Sequence, residues 1–297
     1  MKLDDFLRRH RLPDAFAATA REYFVPLADR LRDRIALRGE RAMVLGISGA
    51  QGTGKSTLAN FIREYLESEQ GLRVAELSID DFYLRRAERA RLAATVHPLL
   101  ATRGVPGTHD VALALSVLDG LASLRPGQRL AVPRFDKSAD DRAPRDMWTI
   151  VDGPLDLVVL EGWCVGSEAV AAAELAQPIN ALERDEDADG TWRRYVNAQL
   201  ATAYPPLFAR LDALVFLAAP DFDAVYRWRL EQERKLGVPG VADGRHVMDD
   251  AGVARFIQHY ERITRQNLER LPSRADVVLT LAPDHTVEDQ STRDGAL

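Results

Sequence analysis

The stretch GISGAQGTGKST, residues 46–57, decides the fold. Gly49, four residues, then Gly54, Lys55 and Ser56 form the G-x-x-x-x-G-K-[ST] spacing, which average residue frequencies produce by chance in a chain of this length about one time in a hundred. An apolar run over 43–47 leads into it, and an amphipathic stretch over 55–68 leads out, with Leu58, Phe61, Ile62, Tyr65 and Leu66 on one face. Strand, glycine-rich turn and helix is the setting in which this spacing holds phosphate. Gly49, Gly52 and Gly54 let the backbone turn tightly, so that the amides of the loop, those of Ala50, Gln51 and Thr53 included, aim inward. The start of the helix adds its positive dipole end. Lys55 reaches the β- and γ-phosphates as a point charge, the Ser56 hydroxyl is a ligand for Mg²⁺, and Thr57 hydrogen-bonds the α-phosphate.

Outward from the loop, strand patterns over 74–79, 129–132, 155–160, 214–218 and 277–281 alternate with helical patterns over 111–124, 191–210, 222–236 and 252–271. That alternation predicts an α/β protein with a mainly parallel sheet covered on both faces. Residues 41–297 read as one such domain. Residues 1–40 read as a helical extension, interrupted near Pro13 and Pro26. The acidic stretch 183–190 is expected to be a solvated loop that ends in a helix start.

Composition narrows the field. The 297 residues are 46% hydrophobic and 28% charged, as in an ordinary globular chain. No apolar run reaches the roughly 18 residues of a membrane span, and the opening MKLDDFLRRH does not read as a secretory signal. The single cysteine, Cys164, has no partner within the chain, which fits a reducing cytoplasm. A net charge of −6 lacks the basic footprint of a nucleic-acid binder. Of 39 basic residues only Lys2, Lys55, Lys137 and Lys235 are lysines. Lys55 lies in the phosphate loop and Lys137 in a polar connector, whereas Lys2 and Lys235 read as surface residues.

Acidic residues mark the carboxyl edge of the sheet, where ligands of open α/β sheets bind. LSIDDFYL, residues 77–84, ends a strand with Asp80 and Asp81. A carboxylate there accepts a hydroxyl proton during phosphoryl transfer or holds Mg²⁺; helix capping is the plainer alternative. Glu161 ends another buried strand, in DLVVLEGWCVG, as a second carboxylate for organising magnesium. Two connectors are rich in cations and turn formers. HPLLATRGVPGTHD, residues 97–110, carries Arg103 and His109, and PRFDKSADDR, residues 133–142, carries Arg134, Lys137 and Arg142. Arginine forks and a lysine suit a small carboxylate. DFDAVYRWRLEQERK, residues 221–235, sets Arg227, Arg229 and Arg234 on one helix, where arginines are able to close over the γ-phosphate as a lid. Arg227 is the residue assigned to that role.

Taken together, GISGAQGTGKSTL, LSIDDFY, RGVPGTHD, PRFDKSADDR, EGWCVG and the late FIQHYERIT resemble the ATP-dependent D-glycerate 3-kinase family, one of the P-loop kinases alongside phosphoribulokinase, uridine kinase and pantothenate kinase. The resemblance runs from about residue 42 to 281, and PRFDKSADDR followed by EGWCVG is its most specific part. It implies a P-loop kinase fold, ATP with Mg²⁺, and D-glycerate or a similar hydroxy acid as the small-molecule partner. It implies that Asp80 is the catalytic aspartate, Asp81 its neighbour on the acceptor side, and Glu161 the magnesium-organising acid. Arg134, Lys137 and Arg142 are placed near the acceptor, and Arg103 and His109 are expected to pair with its carboxylate. Two other readings stay open: a kinase of the same fold acting on pantothenate or a nucleoside, and a nucleotide switch, against which Asp80 stands.

Overall fold

The computed structural model describes residues 1–236, 248–293 and 295; the side chain of Lys235, expected at the surface, lies outside them. Among the described residues the chain forms ten strands: β1 (Met43–Gly49), β2 (Val74–Ser78), β3 (Arg129–Val132), β4 (Phe135–Asp136), β5 (Asp141–Arg142), β6 (Thr149–Asp152), β7 (Leu157–Gly162), β8 (Ala213–Ala218), β9 (Val277–Leu281) and β10 (Val287–Thr292). Six of them build the main sheet in the order β10-β9-β8-β1-β7-β2, with helices on both faces. All seven residues of β1 are buried, which is why its sequence is a continuous apolar run without alternation. β1 pairs in parallel with β7 on one side and β8 on the other. The chain leaves β1 for the far edge strand β2 and returns through β7, so the direction of winding changes beside β1. A crevice opens at such a point.

The polar, exposed β10 closes the sheet antiparallel to β9. Its sequence, VEDQST, carries no apolar alternation to announce a strand, and the pairing is supplied by its neighbour. The strand expected over 129–132 does form, but it pairs antiparallel with β6 in a separate ribbon. β4 and β5 make a second small ribbon. The long helix expected over 191–210 is two pieces, Thr191–Thr202 and Pro205–Phe208, because two successive prolines at 205 and 206 withhold amide donors from the ladder.

The stretch 183–190 is not the expected solvated loop. It begins within the helix Ala181–Glu186, and Glu183 and Asp187 are buried. Arg262 donates from Nε and Nη2 to the two Glu183 carboxylate oxygens at 2.7 and 2.5 Å. Arg193 binds Asp187 at 2.9 Å, and the start of the helix Thr191–Thr202 is tied to the same carboxylate through the Trp192 amide at 2.7 Å. Glu183 is met by an arginine 79 residues away, and Asp187 by the start of the next helix.

The N-terminal residues form the helix Leu3–His10 and then a continuous helical run from Phe16 to Ala36. Near Pro26 the run does not break; it widens into a π turn over Ala20–Phe24, which makes room for the proline ring. The rings of Phe6 and Phe24 sit edge-on to Phe61 of the phosphate-loop helix Lys55–Gln70, with centroids 5.3 and 5.5 Å away. The extension thus shares one apolar cluster with the sheet. Replacing the fully buried Phe61 by alanine should cost about 3–5 kcal/mol, read as a lower urea midpoint at unchanged slope. A loss under about 1 kcal/mol would show that this shared core contributes little.

Candidate active site

β1 ends at Gly49, and the chain turns through residues 50–54 into the helix Lys55–Gln70. The turn is held from within: the Ala50 carbonyl accepts from the Thr53 hydroxyl and from Lys55 Nζ, both at 2.9 Å. Gly52 has φ +83°, and a Cβ there would lie 2.7 Å from Cβ of Trp228, so the loop and the helix Phe222–Leu236 touch backbone to side chain. Beside this loop lies a cleft of about 1120 Å³. Gln51, Gly52, Gly54, Lys55, Ser56 and Thr57 line its phosphate side, while Gly49, Ala50 and Thr53 support the turn from behind.

The acids reach the same cleft by strand register. In the sheet, Glu161 of β7 lies level with Ile47 of β1 and Ser78 of β2, at the carboxyl edge. Asp80 follows in the short 3-10 turn Ile79–Phe82, and its own amide donates to the Ser78 hydroxyl at 3.3 Å. Asp80 accepts from Lys137 Nζ at 2.7 Å and from the Tyr83 hydroxyl at 2.8 Å. Burial would raise its pKa, but Lys137 and the Tyr83 hydroxyl prevail and hold it below the usual carboxylate range. Burial pushes Glu161 up, against the pull of Lys55 and a hydrogen bond from Ser78. Burial also pulls the Lys55 ammonium down, against Glu161 and Asp80. Lys55, Glu161, Asp80 and Lys137 therefore form one coupled set.

The donors available to a metal are oxygens: the Ser56 hydroxyl and the carboxylates of Glu161 and Asp80. Ser48 Oγ, buried at the end of β1, and Gln51 Oε1 have no hydrogen-bond partner. Among the described residues, no group of three or more His, Cys, Asp or Glu side chains is placed to hold a metal alone. Such a sparse, hard set fits Mg²⁺, which keeps waters and phosphate oxygens in its shell.

The remaining expected site residues divide. Arg103 lines the cleft, ion-paired with Asp140, its guanidinium 5.4 Å from the Phe135 ring centroid. Lys137 lines it as well. Arg134 and Asp81 do not: Asp81 accepts from the Phe135 amide at 3.0 Å and pairs with Arg134 at 3.4 Å, which anchors the 133–142 connector. Arg142 is turned inward, donating to the Tyr83 carbonyl and to Asp110, both at 3.1 Å. His109 is buried, stacked on Tyr83 and 2.6 Å from the Tyr204 hydroxyl, and is not a wall of the cleft. Arg227 is exposed and also outside the lining; Arg229, two residues on, faces the cleft beside Glu233, 2.6 Å away. Spacing put three arginines on that helix, and only the packing of Trp228 against Gly52 fixes which side faces in.

Several cleft residues carried no separate signal. Tyr83 lies within the IDDFY run, where a polar-tipped aromatic beside two acids was the available hint. Arg89 is an ordinary helical arginine in sequence. In the fold it donates to the carbonyls of Leu84, Ala101 and Asp140 at 3.2, 2.8 and 2.7 Å, and so joins three segments of the wall. Tyr260 and Trp163 bracket Gly104 (φ +139°), where a Cβ would stand 2.1 Å from the Tyr260 hydroxyl.

No protein-family model matches the chain. It is 36% identical over 227 residues to the "Uncharacterized kinase mug58" of Schizosaccharomyces pombe, covering 74% of this chain and 79% of that protein. It is 32% identical over 281 residues to the chloroplastic D-glycerate 3-kinase of Arabidopsis thaliana, covering 88% of this chain and 58% of the plant protein. Among solved structures it resembles a D-glycerate 3-kinase from Cryptococcus neoformans var. grubii, with a TM-score of 0.76 at 26% identity, covering 92% of this chain and 99% of that one.

Burial pushes the His109 imidazole down to about 4 from an ordinary 6.5. The unfolded chain then binds a proton that the native state refuses, so stability is complete above pH about 6.5 and falls as the pH drops toward about 4. A shift of this size corresponds to a loss on the order of 3 kcal/mol. Urea unfolding between pH 7 and 4 should show the slope, and His109→Gln should flatten it. An equal slope in both proteins would assign it to other groups.

Proposed function

The chain belongs to the D-glycerate 3-kinase family of P-loop kinases, and on that footing we propose that it transfers the γ-phosphoryl group of ATP to the 3-hydroxyl of D-glycerate, giving 3-phosphoglycerate and ADP. The observation that carries this reading is a single cleft in which the phosphate loop, a carboxylate held ionised and a pre-set guanidinium meet.

The geometry supports the following roles. The loop amides and Lys55 hold the phosphates, and Thr57 lies at the helix start beside them. Asp80 accepts the proton of the attacking hydroxyl as the new oxygen–phosphorus bond forms and the bond to the β–γ bridging oxygen breaks. Its low pKa keeps it ready in the ionised form at neutral pH, and Tyr83 fixes its rotamer through the 2.8 Å hydrogen bond. Ser56 and the carboxylates of Glu161 and Asp80 would hold Mg²⁺, which would supply charge neutralisation for the phosphates. Lys137 and Arg103 receive the acceptor's carboxylate, one from each connector. Arg229, not Arg227, faces the transferring group and offsets its developing charge. The single cysteine, Cys164, is buried and free, which accords with a reducing compartment such as the cytoplasm.

Purified protein with Mg-ATP should release ADP on addition of D-glycerate, with the phosphorus NMR spectrum of the product matching 3-phosphoglycerate. Faster turnover of pantothenate or a nucleoside would replace the acceptor; hydrolysis indifferent to every acceptor would replace the reaction. Lys55→Ala and Asp80→Asn should each lower kcat by about 10²–10⁴. Arg229→Ala should lower it by about 10² or more, while Arg227→Ala stays within about twofold of wild type. The reverse order for the two arginines would exchange their roles.

A further inference from the structure

Asp140 stands in the acceptor wall with an unusual set of neighbours. Its backbone is left-handed, φ +53°. One carboxylate oxygen is 2.8 Å from Arg89, and the other meets Arg103. Arg89 is almost wholly buried, and its fork is already engaged by three backbone carbonyls. Three carbonyls take three of the five guanidinium N–H groups of Arg89; the Asp140 carboxylate stands beside Nη2 and adds a fixed negative charge at this point. Burial would raise its pKa, but hydrogen bonds from Arg89 and Arg103 prevail and lower it, so the charge is present at neutral pH.

On its acceptor side the cleft is lined by three cations, Arg89, Arg103 and Lys137, against two carboxylates, Asp80 and Asp140, while Lys55 stands beside Glu161 and Arg229 beside Glu233. One positive charge is in excess. A monoanionic acceptor neutralises it, whereas a dianion of the same size leaves a negative charge uncompensated in a partly desolvated site. Without Asp140 the excess would be two, and the dianion would be the better match.

The geometry points to Asp140 as the charge-selecting residue of the acceptor site, restricting it to hydroxy acids with one carboxylate and disfavouring those with two. This rests on the reading of the cleft as the site of a hydroxy-acid kinase. Two inert analogues separate the charges: D-lactate, which is glycerate without its 3-hydroxyl, and tartronate, in which a second carboxylate replaces the hydroxymethyl group. Their inhibition constants are measured against D-glycerate in the ADP-release assay. Wild-type protein should bind D-lactate more tightly than tartronate. In Asp140→Asn, a residue that tolerates the left-handed backbone, the ratio of the two constants should move about tenfold or more toward tartronate, and Asp140→Glu should move it back. Asp140→Gly, which cannot strain this backbone, gives the same reading if the asparagine variant does not fold. A ratio within about twofold of wild type in the variant, with D-glycerate turnover intact in the wild type, overturns the assignment alone. Absence of D-glycerate turnover in the wild type overturns the kinase reading and this assignment with it.

Discussion

A lysine ammonium half-buried beside the carboxyl edge of a parallel sheet is best tolerated where negative charge is near, and much of the cleft answers to that requirement. Lys55 is held in place by the Ala50 carbonyl, but its charge is offset by Glu161 and Asp80. Asp80 is in turn offset by Lys137, carried in from a connector 57 residues away in sequence. The same alternation continues outward through Arg103, Asp140 and Arg89. Of these groups only Arg89 is fully buried and Lys137 is exposed, but each faces a neighbour of opposite sign, so the charges tie the loop, the sheet edge and both polar connectors together.

This arrangement explains how the two connectors are shaped. The 133–142 segment has almost no regular structure beyond the two-residue strands β4 and β5. It is pinned by side chains instead: Asp81 holds the Phe135 amide, Arg89 holds the Asp140 carbonyl, and Lys137 reaches Asp80. The 97–110 segment is held by Tyr204, which contacts both the Gly107 amide and His109, and by the Trp163 indole on the Gly104 carbonyl. Loops bound this way present their cations at fixed angles, which a flexible connector would not.

Much of the site was legible because the chemistry is local in sequence. The phosphate loop is one uninterrupted motif between a strand and a helix, and Asp80 and Glu161 each end an apolar run, so strand periodicity alone carries them to the sheet edge. What could not be read depends on packing between distant segments. Arg134, Arg142 and His109 have the residue types of an anion site, yet they bind Asp81, Asp110 and Tyr204 and support the wall from outside. Glu183 looks like a solvated acid until Arg262 arrives from 79 residues away, and Asp187 until the fold turns Arg193 of the next helix back onto it. On the helix Phe222–Leu236, the periodicity left the inward arginine open, and the contact of Trp228 with Gly52 decides it. The antiparallel strand β10 was invisible because its polar sequence forms a strand only by borrowing the edge of β9.

The contact between Trp228 and Gly52 has an optical consequence. The indole lines the cleft, stacks on His285 with ring centroids 4.3 Å apart, and donates to the Pro283 carbonyl at 2.8 Å. Its Cβ lies against a loop glycine with no room for a methyl group between them. The chromophore is therefore wired mechanically to the phosphate loop: any displacement of that loop changes the ring's stacking, hydrogen bond and solvent contact together. Of the other three tryptophans, Trp163 also lines the cleft but is tied to the Gly104 carbonyl, and Trp148 and Trp192 are packed against other segments. The molecule thus carries a built-in emission reporter at its phosphate loop, one that needs no label.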